Sequence, residues 1–261
     1  MILYFTGTGN TRFVAEYIAD HVCDECVDLG EILKYKRPLR FNSVKPFVFC
    51  APIYAWRFPK LIEKVVSSAE LTGSEQIYFV ATMDSQTGNF ESVLEKLAYA
   101  KDMAYMGACG VPMPNNYIVG SELPTAEEAE ARINASLPLM KNLSECIMKG
   151  SMIDKYDNTP FAGIASGALN SAFNRFFIST GKFTVSNECI SCGNCEALCP
   201  VNNIRLSSDG IPQFDRYCLN CYSCVNRCPS SAINIGKRTV GRRRYVCPEY
   251  KQWKSEGKIK E

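Results

Sequence analysis

The sequence predicts an α/β protein, a doubly wound five-stranded parallel sheet followed by a small α+β module built around cysteine. Three observations carry that expectation. Short apolar runs alternate with helical patterns over the first 150 residues, which is how a parallel sheet covered by helices on both faces reads. A glycine-rich turn follows the first run and opens a helix. Eight of the 14 cysteines fall in two short clusters near the C-terminal end.

Taken in order, "MILYF" is the first strand, followed by "TGTGN" and a helix with Val14, Ile18 and Val22 on one face. "ECVDLGEILK" supplies a weaker strand. "KPFVFCAPIY" is a buried strand, after which Pro59 starts a helix carrying Leu61, Ile62, Val65, Val66 and Ala69. "EQIYFVATM" and "MAYMGACGVPM" are the last two strands, separated by a helix from about Phe90. Thr125 and Glu128 form a capping box ahead of a final helix, which Pro138 is expected to kink. The expected divisions are a nucleotide-binding domain over 1–150, a helical linker over 151–182, a cysteine-rich domain over 183–236 and a basic tail over 237–261. "FAGIASGALNSAFNRFFI" gives the linker helical spacing, with Phe161, Ile164, Phe173 and Phe176 on its apolar face.

Bulk properties narrow the function classes. No run reaches the roughly 18 apolar residues that a membrane span requires. Cysteines clustered in a chain of 261 residues point to metal in a reducing compartment, so a cytoplasmic location is expected. The formal net charge of +2 is uneven: −3 over 1–182, −1 over 183–236 and +6 over 237–261. The basic stretch centres on "GKRTVGRRRY". It could dock an acidic electron carrier, shield negative clusters, or merely be solvated. Nucleic-acid binding is disfavoured, because no binding module accompanies it.

"CISCGNCEALCP" (189–200) and "CLNCYSCVNRCP" (218–229) are near-duplicates about 29 residues apart. A cubane iron–sulfur cluster needs four soft thiolates in tetrahedral array. A C-x₂-C-x₂-C loop can supply three, and the fourth must come from elsewhere. Zinc prefers paired C-x₂-C knuckles to triplets followed by Cys-Pro. The stretch 183–236 resembles bacterial two-cluster ferredoxins, in which the last cysteine of each run ligates the other cluster. The resemblance implies two [4Fe–4S] clusters. One is held by Cys189, Cys192, Cys195 and Cys228, the other by Cys218, Cys221, Cys224 and Cys199.

At the other end, Thr6, Gly7, Thr8, Gly9, Asn10 and Thr11 lie between a buried strand and a helix start. Backbone N–H groups and the helix dipole favour a phosphate there. The turn lacks the lysine of a Walker loop, which argues against nucleoside-triphosphate hydrolysis. Here residues 1–150 resemble the flavodoxins, whose phosphate loop reads much like T-x-T-G-N-T. The resemblance implies a flavodoxin-like sheet and non-covalent FMN. It puts the ring against the "APIYAWRFP" loop, with Pro52, Tyr54, Ala55 and Trp56. It also puts the ring against "ATMDSQTGN", with Thr82, Asp84, Gly88 and Asn89, and near Asn115 and Asn116 of "MPNNY".

Together the halves resemble the flavodoxin–ferredoxin fusion proteins found mainly in anaerobes. The implied function is electron transport: an iron–sulfur flavoprotein that relays single electrons between clusters and flavin and serves a protein redox partner. Two other readings stay open. One is an oxidoreductase that reduces a small molecule at the flavin. The other is a redox or oxygen sensor, for which Cys23 and Cys26 of "CDEC" are the only hint. His21, the single histidine, reads as a helix-end surface group. Cys50, Cys109 and Cys146 read as core, and Cys247 has no assigned role.

Overall fold

The computed structural model describes residues 1–85, 88, 90–154 and 182–259; the linker helix expected over 161–176 lies outside them. Its central sheet comprises β1 (Ile2–Tyr4), β2 (Cys26–Asp28), β4 (Phe47–Pro52), β6 (Gln76–Met83) and β7 (Ala104–Pro112). The order is β2-β1-β4-β6-β7 and every pairing is parallel. These are the five expected strands. The apolar runs of β4, β6 and β7 are buried almost throughout.

Alternation along the strands feeds two cores. Leu3, Phe5, Phe47, Phe49, Ile77 and Phe79 pack with α2 (Leu29–Lys34), α3 (Lys60–Ser68) and α4 (Phe90–Tyr99). Ile2, Tyr4, Val48, Cys50, Tyr78 and Val80 pack with α1 (Asn10–His21) and α5 (Ala126–Met148) on the opposite face. The α5 start has the expected capping box: Glu128 N–H donates to the Thr125 hydroxyl, and Thr125 N–H to the Glu128 carboxylate. The helix runs on through Pro138 as one element.

Two features were not anticipated. β3 (Arg40–Ser43) and β5 (Glu70–Gly73) form a separate parallel pair, and α2 follows β2 directly, capped by the Asp28 carboxylate. Cys50 and Cys109 are core residues as expected. Cys146 is not, because its thiol is half-exposed and donates to the carbonyls of Ser151 and Met152.

The cysteine-rich module consists of β8 (Phe183–Val185), α6 (Asn194–Ala197), β9 (Ile204–Leu206), β10 (Pro212–Phe214), α7 (Ser223–Asn226) and β11 (Ile233–Ile235). β8 pairs with β11 and β9 with β10, both antiparallel. Phe183 stacks on Phe214 across the module at 4.7 Å. Val225, Ile233 and Ile235 enter the same buried cluster as α1 and α5, so the two halves share a core.

The basic C-terminal stretch is anchored. The segment beyond residue 240 is a strap built into that core through Tyr245, Cys247, Tyr250 and Trp253, all buried. α8 (Tyr250–Ser255) sets Tyr250 and Trp253 edge-on to Phe13 of α1. Burying two large aromatics stabilises the docked strap by roughly 3–6 kcal/mol relative to leaving them in water. The arginines also have internal partners. Arg242 donates to the carbonyls of Ile118 and Ser121, Arg243 to that of Leu123, and Arg244 to those of Ser231 and Ile233.

Candidate redox site

The turn between β1 and α1 is buried: Thr8 is 0% exposed and Thr11 1%. Gly9, at φ 108°, is the N-cap of α1. The N–H groups of Asn10, Thr11 and Arg12 have no acceptor among the described residues, leaving the orphan donors of a helix start directed at a sheltered spot. Side chains hold the turn in shape. The Asn116 amide donates to the Thr8 hydroxyl at 2.8 Å, the Asn10 amide to the Pro114 carbonyl at 2.8 Å, and Thr11 shares a hydrogen bond with Thr82 at 2.7 Å. Thr82 and Asn116 thus support the turn, whatever else they touch.

The two glycines have a further role that the sequence did not reveal. A Cβ on Gly7 would lie 2.3 Å from the Cys221 carbonyl oxygen, and one on Gly9 would lie 3.0 Å from the Cys247 side chain. Cys247 N–H donates to the Thr8 carbonyl at 2.8 Å, and the Tyr245 hydroxyl to Asn10 at 2.8 Å. The turn is therefore roofed by the cysteine module and the strap. Backbone approaches this closely only where side chains are missing.

Beside the turn lies a cleft with walls from both halves. Tyr54, Ala55, Trp56, Asp84, Asn115, Asn116 and Tyr117 form one side, and the stretch from Arg216 to Tyr222 forms the other. Of the residues expected around a flavin, Pro52 is buried at the end of β4, Gly88 is buried outside the cleft lining, and Asn89 is outside the described residues. Thr6 is half-buried beside the roofed turn. The Trp56 loop is a tight turn. Tyr54 N–H donates to the Arg57 carbonyl at 2.8 Å, and Ala55 and Trp56 both have left-handed backbone, φ 49° and 66°. Non-glycine residues held this way cost on the order of 1–3 kcal/mol each and concentrate at functional sites. Arg57 is pinned by two hydrogen bonds to Glu63, at 2.9 and 2.7 Å. Burial pushes the Tyr54 phenol well above its ordinary value, with the nearby Cys221, Tyr222 and Cys218 adding to the effect. Burial raises Tyr117 and Tyr222 too, so the cleft's phenols stay neutral.

The residues from the cysteine module are those the sequence reading missed. A faint signal existed. The second run carries Tyr217 and Tyr222 where the first carries Glu188 and Gly193, as though one run had acquired an apolar face.

The eight cysteines gather in two groups. Cys189, Cys192, Cys195 and Cys228 line one small cavity with Leu206, Gly210 and Pro212. Cys199 lies among Cys218, Cys221 and Cys224, each of these three thiols feeling it electrostatically. Burial first, then neighbouring thiols, raises Cys221 to about 12 and puts Cys224 well above its usual value. Four thiolates cannot share such a space without a cation, and iron ligation deprotonates them outright. Cys228 differs. Burial raises it, but hydrogen bonds from the Ser230 hydroxyl and from backbone N–H groups at Ile233, Ala232 and Ser230 outweigh that and leave it lowered. The donor set suits iron–sulfur clusters, and the sheltered N–H groups beside the cleft suit a phosphate. Cys23 is exposed and Cys26 half-buried; burial raises Cys26 to about 12, so that thiol is not primed as a thiolate. His21 stacks on Tyr17 at 4.0 Å at the end of α1.

Comparisons with known proteins give two separate family matches. Residues 1–108 match a flavodoxin domain and residues 188–233 a 4Fe-4S dicluster domain. No curated protein gives a match. Among solved structures, general stress protein 14 of Treponema denticola, in complex with FMN, is 10% identical, with 56% of this chain and 98% of that one covered at a TM-score of 0.39. The two-electron reduced flavodoxin of Megasphaera elsdenii is 15% identical, with 57% and 99% covered at a TM-score of 0.35. The flavodoxin domain points to FMN and the dicluster domain to iron–sulfur clusters. The chain is an iron–sulfur flavoprotein of electron transfer, with a flavodoxin domain and a 4Fe-4S dicluster domain joined in one polypeptide as a flavodoxin–ferredoxin fusion.

Proposed function

We propose that this protein relays single electrons between two [4Fe–4S] clusters and FMN, connecting a one-electron protein carrier to a flavin. When bound, FMN exchanges electrons singly or in pairs, and a [4Fe–4S] cluster exchanges them one at a time. The proposed ligands are Cys189, Cys192, Cys195 and Cys228 for one cluster and Cys218, Cys221, Cys224 and Cys199 for the other. The proposed FMN site has its phosphate at Thr6–Thr11 and its ring in the cleft beside Tyr54 and Trp56.

One observation carries the reading: the cleft has the flavodoxin loops on one side and the Cys218–Tyr222 stretch on the other. Contact of the Cys221 carbonyl with Gly7 supports the same arrangement. The chain's residues then act as an insulated junction. Tyr54, Tyr117 and Tyr222 exclude water and hold no charge, the Trp56 turn offers a flat face, and the strap keeps the halves in register. The Cys218 group sits on the flavin side and the Cys189 group, with Cys192 exposed, on the outer side. Electrons would thus cross to a partner through the outer cluster. With Arg242–Arg244 occupied internally, the exposed basic residues of the same stretch left for an acidic partner are Lys237 and Arg238, which line a pocket with Tyr117 and Tyr222 and so offer a second docking face, on the cleft side. Fourteen unpaired cysteines suit a reducing compartment such as the cytoplasm.

The test is anaerobic purification, with iron, sulfide and flavin assayed per chain, followed by stopped-flow reduction by a reduced ferredoxin. Cluster bleaching that precedes flavin bleaching supports the relay. A chain that binds both groups but reduces its flavin independently of its clusters refutes it.

A further inference from the structure

Arg244 lies in the strap, beyond the stretch matched as the dicluster domain. Its Nη2 donates to the carbonyls of Ser231 at 3.3 Å and Ile233 at 3.2 Å, and to the Asn234 side-chain oxygen at 2.8 Å. These acceptors follow Cys228 directly in the chain, so the guanidinium is clamped to the segment that bears that cysteine. Its Nε and Nη1 are buried and have no hydrogen-bond partner among the described residues. The ionisable groups that act on it are the thiols of Cys228 and Cys224, one from each cysteine group.

A guanidinium keeps its proton in proteins, and a desolvated cationic donor without an acceptor costs several kcal/mol. Thiols are poor acceptors, whereas thiolate and sulfide sulfur are negatively charged. Clusters in these two groups would supply the acceptors that the two nitrogens lack. We propose that Arg244 sets the reduction potentials of the clusters, its Nε and Nη1 donating to sulfur at the seam where the Cys228 and Cys224 groups meet. This rests on the reading that both groups carry [4Fe–4S] clusters. Each reduction adds one electron and makes or breaks no bond, and Arg244 keeps its proton. A fixed positive charge and N–H donors favour the more negative, reduced form, so they raise the potential. The strap that docks the two halves thereby also tunes the wire between them.

The experiment uses the full chain, purified anaerobically, as wild type, Arg244→Gln and Arg244→Lys. Iron and sulfide are assayed, and potentials are read by EPR-monitored titration. We expect Arg244→Gln to retain its clusters and to favour the oxidised form about tenfold more in at least one of them, a 59 mV fall for a one-electron couple. Arg244→Lys, which keeps the charge without the fork, should recover part of the shift. Arg244→Gln with wild-type iron and wild-type potentials overturns the proposal while leaving the cluster reading intact. A wild type without iron removes the cluster reading itself. Should Arg244→Gln lose its clusters, pulsed EPR of wild type with guanidino-¹⁵N arginine decides, with the Arg244→Lys protein as reference. A nitrogen coupling to the reduced clusters that disappears in Arg244→Lys supports the proposal, and its absence from the wild type overturns it.

Discussion

The two cysteine runs are close copies in backbone and opposites in surroundings. Ser191 and Asn220 share left-handed backbone at φ 52° and 51°, and Asn202 and Ser231 do so at 51° and 54°. Gly193 and Tyr222 occupy equivalent positions at 75° and 55°. The run from Cys189 faces outward, with Ile190 64% exposed. The run from Cys218 faces inward, toward Gly7, Tyr54 and Tyr117. The spacing of cysteines fixes what a loop can hold; the residues between them fix what it faces. Tyr222 makes the point. A left-handed tyrosine is disfavoured by about 1–2 kcal/mol where glycine is not, and its ring packs 5.8 Å from that of Tyr117, walling the cleft.

The strongest way to break this comparison is to disable one run at a time. Cys192→Ser and Cys221→Ser should each lose roughly half the iron. In Cys192→Ser, the flavin should still equilibrate with the remaining cluster. In Cys221→Ser, transfer from the ferredoxin half to the flavin should fall by orders of magnitude, as read by stopped-flow absorbance. Equal flavin kinetics in the two variants would contradict an inner and an outer cluster.

Gly7→Ala tests the contact itself. Its Cβ would meet the Cys221 carbonyl at 2.3 Å, and backbone on both sides leaves little room to yield. Overpacking of this kind costs typically 1–3 kcal/mol. The expected outcome is a lower melting temperature together with flavin loss on gel filtration. Gly193→Ala, whose Cβ would meet only Leu206 at 3.7 Å, should retain its flavin and pay only for left-handed backbone.

How much of this was legible in the sequence depends on whether the signal was local. Phe47–Pro52 and Ile77–Ala81 are short apolar runs rich in β-branched and aromatic residues, which favours a buried strand, and Thr125 with Glu128 spells its own cap. The cysteine runs carry their chemistry in their spacing. β3 and β5 are short and polar, and satisfy one another across about thirty residues, so neither shows a pattern alone. In the sequence Gly7 and Gly9 belong to a turn suited to a phosphate, where a missing side chain lets a ligand approach. That they also make room for Cys221 and Cys247 depends on a contact more than two hundred residues away in sequence. The sequence leaves the role of Arg242–Arg244 open because most of their acceptors are main-chain carbonyls, which no residue code displays.

Tyr222→Asn sharpens the comparison more gently. Asparagine tolerates left-handed backbone, so iron content should remain wild-type while one wall of the cleft is lost. An aromatic contact is worth about 1 kcal/mol, so the FMN dissociation constant should rise roughly fivefold, measured by fluorescence titration. An unchanged constant would place the flavin ring away from this wall.

The smallest effect concerns the far end of the strap, where Lys254 and the Tyr250 hydroxyl both hydrogen-bond Asp20 on α1. The Lys254 hydrogen bond first, then that from Tyr250, lowers the Asp20 carboxyl below its usual 3.8. A depressed carboxyl stabilises the fold above its unfolded value and stops doing so as pH falls through the folded one. The clasp is therefore at full strength above about pH 4 and weakens progressively as the pH falls further. Asp20 is 42% exposed, so solvent screens the pair and a few tenths of a kcal/mol is the expected worth. Asp20→Asn should lower stability by that amount at pH 7 and by less as the pH falls below 4, in urea melts across that range. A loss of equal size at every pH would show that Asp20 acts through packing and not through its charge. A loss of several kcal/mol at pH 7 would mean that the clasp, and not the buried Tyr250 and Trp253, fastens the strap.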